Sequence, residues 1–176
     1  MLYKPFGLLP LMYNHILIIG ATGSGKTTLA KRLSSILSTP QKSTDDFQYT
    51  NHFQTKFSEK ERNSKLKKFL QNKKWIIDGV QAKPWVYPIF KKAEIIIMLR
   101  TNRIKLIYRL IKRFLEEKKK KKDKELRDLI KLLYWSQMYK FDNYKKHIKL
   151  ASKFNKKIIF LDNGKEIENF IHSISI

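Results

Sequence analysis

The sequence predicts an α/β fold, a parallel sheet covered by helices on both faces. Three observations predict it. Short apolar, β-branched runs alternate with amphipathic segments of helical period along the chain. The first such run passes into Gly20-Ala21-Thr22-Gly23-Ser24-Gly25-Lys26-Thr27, which matches G-x-x-x-x-G-K-[ST] at every position. A helical pattern follows at once, with Leu29, Ala30, Leu33, Ile36 and Leu37 on one side and Lys31 and Arg32 on the other.

Each element has its own signal. His15–Ile19 is apolar without alternation, as a strand buried on both faces should be. The turn after it is a phosphate-binding P-loop. Gly20, Gly23 and Gly25 let the backbone turn sharply and carry its N–H groups to phosphate oxygens. Lys26 supplies a point charge for the β- and γ-phosphates of ATP, and the Thr27 hydroxyl is placed to ligate Mg²⁺. Gly20 to Thr28 form the nucleotide-binding segment, because a helix N-terminus there favours an anion. A weak strand is expected near 41–44, and firm ones at 75–78, 94–99 and 157–161. Leu66, Phe69 and Leu70 mark one helix, Leu106, Leu110 and Phe114 a second, Leu126 to Phe141 a third, and Ile167, Phe170 and Ile171 a last. In such a sheet, ligands bind at the C-terminal ends of the strands.

Composition narrows the class. A chain of 176 residues suggests one domain with a sizeable core. Residues 1–13 read as an N-terminal extension, with Met12 a candidate start, and 14–176 as the domain. There is no cysteine, so disulfides and thiolate metal sites are excluded. No apolar run is long enough to span a bilayer, so no membrane is expected, and the chain reads as cytoplasmic. The net charge of +23 suggests polyanionic partners: nucleotides, nucleic acid or an acidic surface. Seven of the 38 basic residues are Arg and the rest Lys, so compositional drift accounts for the charge equally well.

Several residues beyond the loop suit phosphoryl transfer. Asp78 ends an apolar strand, where a carboxylate can bind Mg²⁺ or its water shell, and Gly79 lets a substrate approach the backbone. A turn Asp–Gly is the bland alternative. Asp45 and Asp46 follow the second strand, and one of them would orient an acceptor hydroxyl; helix capping is the competing role. Arg109 and Arg113 are four apart and share a helix face that Arg103 opens. Their planar guanidinium groups suit charge developing on a transferring phosphoryl group. Lys118 to Lys122 lies in a lid-like basic segment, about 114–125, that also reads as a solvated charge run. Trp85 and Tyr87 are placed to line an acceptor pocket, whereas Trp75 reads as packing. Asn163-Gly164-Lys165 can hold an adenine edge through backbone groups or serve as a plain turn. The four histidines have no metal-ligand spacing.

With these pieces in place the chain resembles the small adenylate-kinase-like P-loop proteins known as DNA topology modulation proteins of the FlaR type. The resemblance runs from about Asn14 to Ile171. It is carried by Gly20–Thr28, Asp45-x-Phe47-x-Tyr49, Trp75-Ile76-Ile77-Asp78-Gly79, the Ala93–Leu99 strand, Arg103 with Arg109-x-x-x-Arg113, and Leu133-Tyr134-Trp135. It implies a three-layer αβα P-loop NTPase fold, nucleoside-phosphate-kinase-like, with a five-stranded parallel sheet in the order 2-3-1-4-5. It also implies ATP-dependent phosphoryl transfer with Lys26, Thr27, Asp78 and the helix arginines around the phosphates. The chain departs from that family at Val80-Gln81, where Asn-Tyr is usual, and at Arg100 and Asn102, where Asp and Pro are usual. The lysine run replaces an arginine-containing lid.

The expected protein is an ATP- and Mg²⁺-dependent kinase for a small acceptor, a nucleotide or nucleoside first. Lys26, Asp78, Arg109 and Arg113 are its expected catalytic residues, Thr27 and Asp78 its metal ligands, and Asp45, Asp46, Gly79 and Trp85 its acceptor contacts. The alternatives are an ATP switch that binds nucleic acid and a protein that binds ATP without turnover.

Overall fold

The computed structural model describes residues 13–50, 55–120, 125–141 and 143–174. Five strands form one sheet: β1 (His15–Gly20), β2 (Gln41–Ser43), β3 (Trp75–Gly79), β4 (Ile95–Leu99) and β5 (Lys157–Leu161). Their order is β2-β3-β1-β4-β5, and every neighbouring pair is parallel. The three central strands are buried along nearly their whole length, which is why their sequences run apolar without alternation.

Helices cover both faces. α1 (Lys26–Leu37) and α8 (Gly164–His172) pack Leu29, Leu33, Phe170 and Ile171 against Ile16, Ile18, Ile76, Ile95 and Ile97. The opposite face carries Leu17, Ile19, Ile77, Ile96 and Met98. It is covered from α2 (Thr44–Gln48), α3 (Glu59–Phe69), α4 (Tyr87–Lys92) and α7 (Asn143–Lys153), by Phe47, Leu66, Phe90 and Leu150 among others. Each fully buried isoleucine contributes about 1.5–3 kcal/mol over an exposed one, so this double-sided core dominates the stability. α5 (Arg103–Lys120) and α6 (Leu126–Phe141) form the remaining part, and Leu106 and Tyr139 bring them against Ala21 of the glycine-rich turn.

The expected strands and long helices are present. α2, α4 and α7 had no sequence signal. α2 is five residues long, too short to show a helical period, and α4 carries Pro88 in its first turn. α7 is rich in lysine, and its buried face is reduced to His147, Leu150 and Ala151. Tyr13 packs against the core, while residues 1–12 of the expected extension lie outside the described residues. The expected lid segment begins as helix: 114–120 is the end of α5, and 121–124 lies outside the described residues. No described helix is long and apolar enough to cross a membrane.

Candidate active site

The sheet register brings three chain segments together. Ile18 of β1 pairs with Asp78 of β3, and Asp78 pairs with Ser43 of β2. The glycine-rich turn therefore leaves β1 beside Asp78, and α2 starts on its other side. This placement follows from the parallel order alone, since all three strands end at the same edge.

The turn is shaped for an anion. Gly23 and Gly25 have φ of 83° and 93°, a region that disfavours a side chain. Gly25 is the N-cap of α1 and supplies no side-chain hydrogen bond, and the first turn of α1 holds no acidic residue. The contrast with other helices is informative. Asp46, Glu61 and Asn163 contribute capping side chains at the starts of α2, α3 and α8. The N–H groups at the start of α1 are left uncapped, with the positive end of the helix dipole behind them.

Loop carbonyls are held from one side. Ser24 O accepts from Arg109 Nη1 at 3.2 Å and from Thr101 Oγ1 at 3.3 Å. Thr22 O accepts from Ser136 Oγ at 3.3 Å. In a trans peptide the N–H points opposite to the C=O, so these contacts turn the N–H groups of Gly23 and Gly25 away from α5 and α6. Lys26 Nζ donates to Ala21 O at 3.3 Å. Desolvation lowers the pKa of Lys26, and Asp78 and Asp45 oppose that shift.

Asp78 is fully buried. Its Oδ2 accepts from Thr27 Oγ1 at 2.7 Å and its Oδ1 from Gln41 Nε2 at 2.7 Å. Burial pushes its carboxyl above the ordinary range, while Thr27, Lys26 and Gln41 pull it back. Asp45 is likewise pushed up by burial and pulled down by Lys26, with Asp78 and Asp46 pushing it further up. Lys26, Asp45 and Asp78 thus share one electrostatic environment. His147 belongs to its edge. It is buried between Tyr139 Oη, 3.0 Å from Nδ1, and Gln81 O, 2.9 Å from Nε2. Its pKa falls to about 4, chiefly by desolvation, with the Lys26 charge adding to the fall and the Gln81 bond opposing it. A cavity of about 680 Å³ opens among Ala21, Leu99, Thr101, Leu106, Ser136 and Tyr139.

Not every expected residue stands where its sequence role required. Asp46 does not face the loop. Its Oδ2 accepts from Ser43 N at 2.7 Å, so it caps α2 and only Asp45 remains for an acceptor. The space beside Gly79 is taken by Thr44, whose Oγ1 would lie 2.2 Å from a Cβ there. That glycine admits α2, not a ligand. Trp85 packs against the core and lies under the Arg62 guanidinium, 5.0 Å away, and Tyr87 packs edge-on to Phe154. Arg109 touches the loop, whereas Arg113 pairs with Glu117 at 2.7 Å. Asn163 Oδ1 accepts from Glu166 N at 3.0 Å, so this loop caps α8. Trp75 is buried and stacks on His15, as expected. Arg100 forms a double bond-pair with Asp162 at 2.5 and 2.6 Å and ties β4 to β5. Sequence reasoning missed Gln41, Thr101, Ser136 and His147, none of which has a motif.

The architecture has known counterparts. The shikimate kinase from Acinetobacter baumannii in complex with shikimate superposes with a TM-score of 0.56 at 16% identity, covering 93% of this chain and 91% of that one. A gluconokinase from Sinorhizobium meliloti 1021 superposes with a TM-score of 0.51 at 10% identity, covering 92% and 91%. At these identities the likeness is one of fold, the five-stranded parallel P-loop kinase fold. No curated protein has a sequence that matches this chain. Residues 16–129, more than half of the chain, match the family described as AAA domain, and the protein belongs to it.

Proposed function

We propose that this protein is an ATP-dependent kinase that phosphorylates a hydroxyl of a small acceptor, with nucleotides and nucleosides as the first class to test. One observation carries the reading: the uncapped start of α1 converges with Lys26 and with the Thr27–Asp78 pair at a single strand edge. Phosphate affinity and hard-cation ligands at one place are what phosphoryl transfer needs.

The residues fit Mg²⁺. Thr27 Oγ1 and the Asp78 carboxylate are oxygen donors 2.7 Å apart, and a buried carboxylate whose charged form is disfavoured gains from a cation beside it. The ion would neutralise charge on the β- and γ-phosphates. Lys26 and the N–H groups of Gly23 and Gly25 bind those phosphates, so their field is in place before reaction. Arg109 fixes the loop through Ser24 O and adds fixed positive charge. Asp45 accepts the acceptor's hydroxyl proton while that oxygen bonds to the γ-phosphorus. The bond from the γ-phosphorus to the bridging oxygen breaks, and ADP leaves with the electron pair. The raised pKa of Asp45 makes it the better base. The cavity beside Ala21 falls within the size range of small-molecule sites.

A second reading is an ATP switch on nucleic acid. Tyr108, Tyr134 and Trp135 are each more than half exposed on α5 and α6, in a chain of net charge +23. Exposed aromatics among cations suit stacked bases. Both readings meet one experiment: ADP release with Mg²⁺ across nucleosides, nucleoside monophosphates, hydroxy acids and 5′-hydroxyl oligonucleotides, with Lys26→Ala as control. Acceptor-dependent release that the control abolishes supports a kinase. ATP binding without release, together with oligonucleotide binding that weakens steeply with salt, supports the switch.

A further inference from the structure

The large hydrophobic side chains that stay exposed are not scattered. Among the described residues there are eleven, and ten of them lie on α5 and α6; Ile36 on α1 is the other. α5 buries Leu106, Leu110 and Phe114. It also leaves Ile104, Ile107, Tyr108, Ile111 and Leu115 in water, spaced so that each has a neighbour three or four residues away. At about 100° per residue this second stripe borders the buried one, and the apolar arc of α5 is roughly twice as wide as the part it buries. Beyond the stripe, Lys105, Lys112 and Lys119 recur every seventh residue, all exposed. α6 repeats the pattern. Leu126, Ile130, Tyr134 and Met138 recur every fourth residue and are exposed, with the exposed Trp135 ring 5.5 Å from that of Tyr134. Arg127 and Lys131 stand beside that row. α5 and α6 follow each other in the chain and pack together.

Apolar side chains grouped outside a core mark a contact surface. Drift toward lysine explains a charged surface, but not aliphatic groups turned outward. Three occupants compete. A second copy would bring two chains of net charge +23 face to face, and α5 alone carries eight basic residues and two acidic ones. Nucleic acid satisfies the cations and can stack on Tyr108, Tyr134 and Trp135, but it sets Ile104, Ile111, Leu115 and Ile130 against sugar and phosphate. An anionic lipid surface satisfies both sets. Aliphatic side chains enter the acyl boundary, tyrosine and tryptophan rings sit at headgroup depth, and lysines reach the headgroups on their long stems. The row beyond the α5 stripe is lysine and not arginine, and a point charge on a flexible stem suits a fluid array of headgroups better than a planar fork. Such attachment lies flat on the surface and needs no spanning helix.

We propose that α5 and α6 form a docking face that lays its apolar stripes into an anionic lipid surface, with Lys105, Lys112 and Lys119 on the headgroups. The face is independent of the kinase reading, because neither stripe includes a residue placed at the phosphates.

The full chain is mixed with vesicles of phosphatidylcholine, alone or with phosphatidylserine added, and binding is read by co-sedimentation and by tryptophan fluorescence. Trp75 and Trp85 pack in or against the core, so the exposed Trp135 supplies the response. Its emission should shift to the blue and be quenched by brominated acyl chains. Anionic vesicles should bind at least about tenfold more tightly than neutral ones. Leu115→Gln combined with Ile130→Gln should weaken that binding about tenfold or more, with the melting temperature kept, since both side chains are more than half exposed. Ile36→Gln, on α1, should leave it unchanged. Lys105→Gln combined with Lys112→Gln should cost about tenfold and flatten the salt dependence. Vesicle binding that Leu115→Gln with Ile130→Gln leaves unaltered, without a Trp135 shift, would reduce the effect to net charge and overturn the inference. A Trp135 response to single-stranded oligonucleotides that vesicles do not reproduce would overturn it in favour of nucleic acid. A dimer in sedimentation that the same two substitutions dissociate, with no vesicle binding, would overturn it in favour of a second copy.

Discussion

The proposed phosphate side and the proposed acceptor side of the sheet edge are finished to different degrees. On the phosphate side most polar groups are cross-linked within the protein, Thr27 and Gln41 on Asp78, Arg109 and Thr101 on the Ser24 carbonyl, Ser136 on Thr22, although Ser24 Oγ is buried without a partner. On the acceptor side Thr44, Gln48 and Trp85 leave buried atoms unpaired. A phosphate is recognised by backbone N–H groups that any suitable loop supplies, so that half is built into the fold. An acceptor is recognised by side chains whose partners arrive with it. The pre-formed half should tolerate no loss, and the open half should show its losses only with the acceptor present.

The largest loss is expected at Lys26. Lys26→Ala removes the point charge on the β- and γ-phosphates and should lower kcat by about a thousandfold or more, with the thermal melt intact because the ammonium is already disfavoured by burial. Near-normal turnover in that variant would refute the whole site assignment. Asp78→Asn comes next. It should cost about a hundredfold to a thousandfold in kcat and shift the Mg²⁺ dependence to higher concentrations. Burial disfavours the charge on Asp78, so the melting temperature should hold or rise, provided the Gln41 amide turns to meet the new one. A melt that falls steeply would mean that Asp78 serves the fold first.

A smaller effect separates two arginines of one helix. Arg109→Lys should lower kcat about tenfold to a hundredfold and weaken ATP binding less, because it loses the contact that turns Ser24. Arg113→Lys should cost less, since Arg113 is held by Glu117. A greater loss at Arg113 would show that this side chain leaves Glu117 during the reaction.

The two halves also differ in how far the sequence discloses them. The motif at Gly20–Thr27 and the unbroken apolar runs of β1, β3 and β4 announce the phosphate side, because a turn of fixed geometry and a doubly buried strand each restrict residue type strongly. Between Asp45 and Asp46 only the resemblance, through Asp45-x-Phe47-x-Tyr49, favours Asp45, since neighbours on a short helix point apart and the cap decides which faces in. Gly79 at a strand end suggests room for a ligand, but Thr44 fills that room. His147 had no motif to mark it, because its meaning lies in what is packed beside it from elsewhere in the chain. Contacts of long sequence separation, such as His147 with Gln81, are not written in local pattern.

His147 offers the finest test of the comparison, because from α7 it reaches the segment that follows β3 and both of its ring nitrogens are paired. Nδ1 faces the Tyr139 hydroxyl and Nε2 faces Gln81 O, which is an acceptor only, so the ring is neutral with its proton on Nε2. Its folded pKa of about 4 lies below the ordinary 6.5. As pH falls, the unfolded chain therefore takes up the proton first. The stabilisation is complete above about pH 6.5 and is lost as pH falls toward 4, at a limiting rate of about 1.4 kcal/mol per pH unit. His147→Gln should be less stable than the parent at pH 7.5 and show a shallower decline between pH 6.5 and 4, in chemical denaturation followed by tryptophan fluorescence. Parallel declines in the two proteins would mean that His147 titrates alike in the folded and unfolded chain, and that the Tyr139–His147–Gln81 chain does not brace the segment between β3 and Trp85.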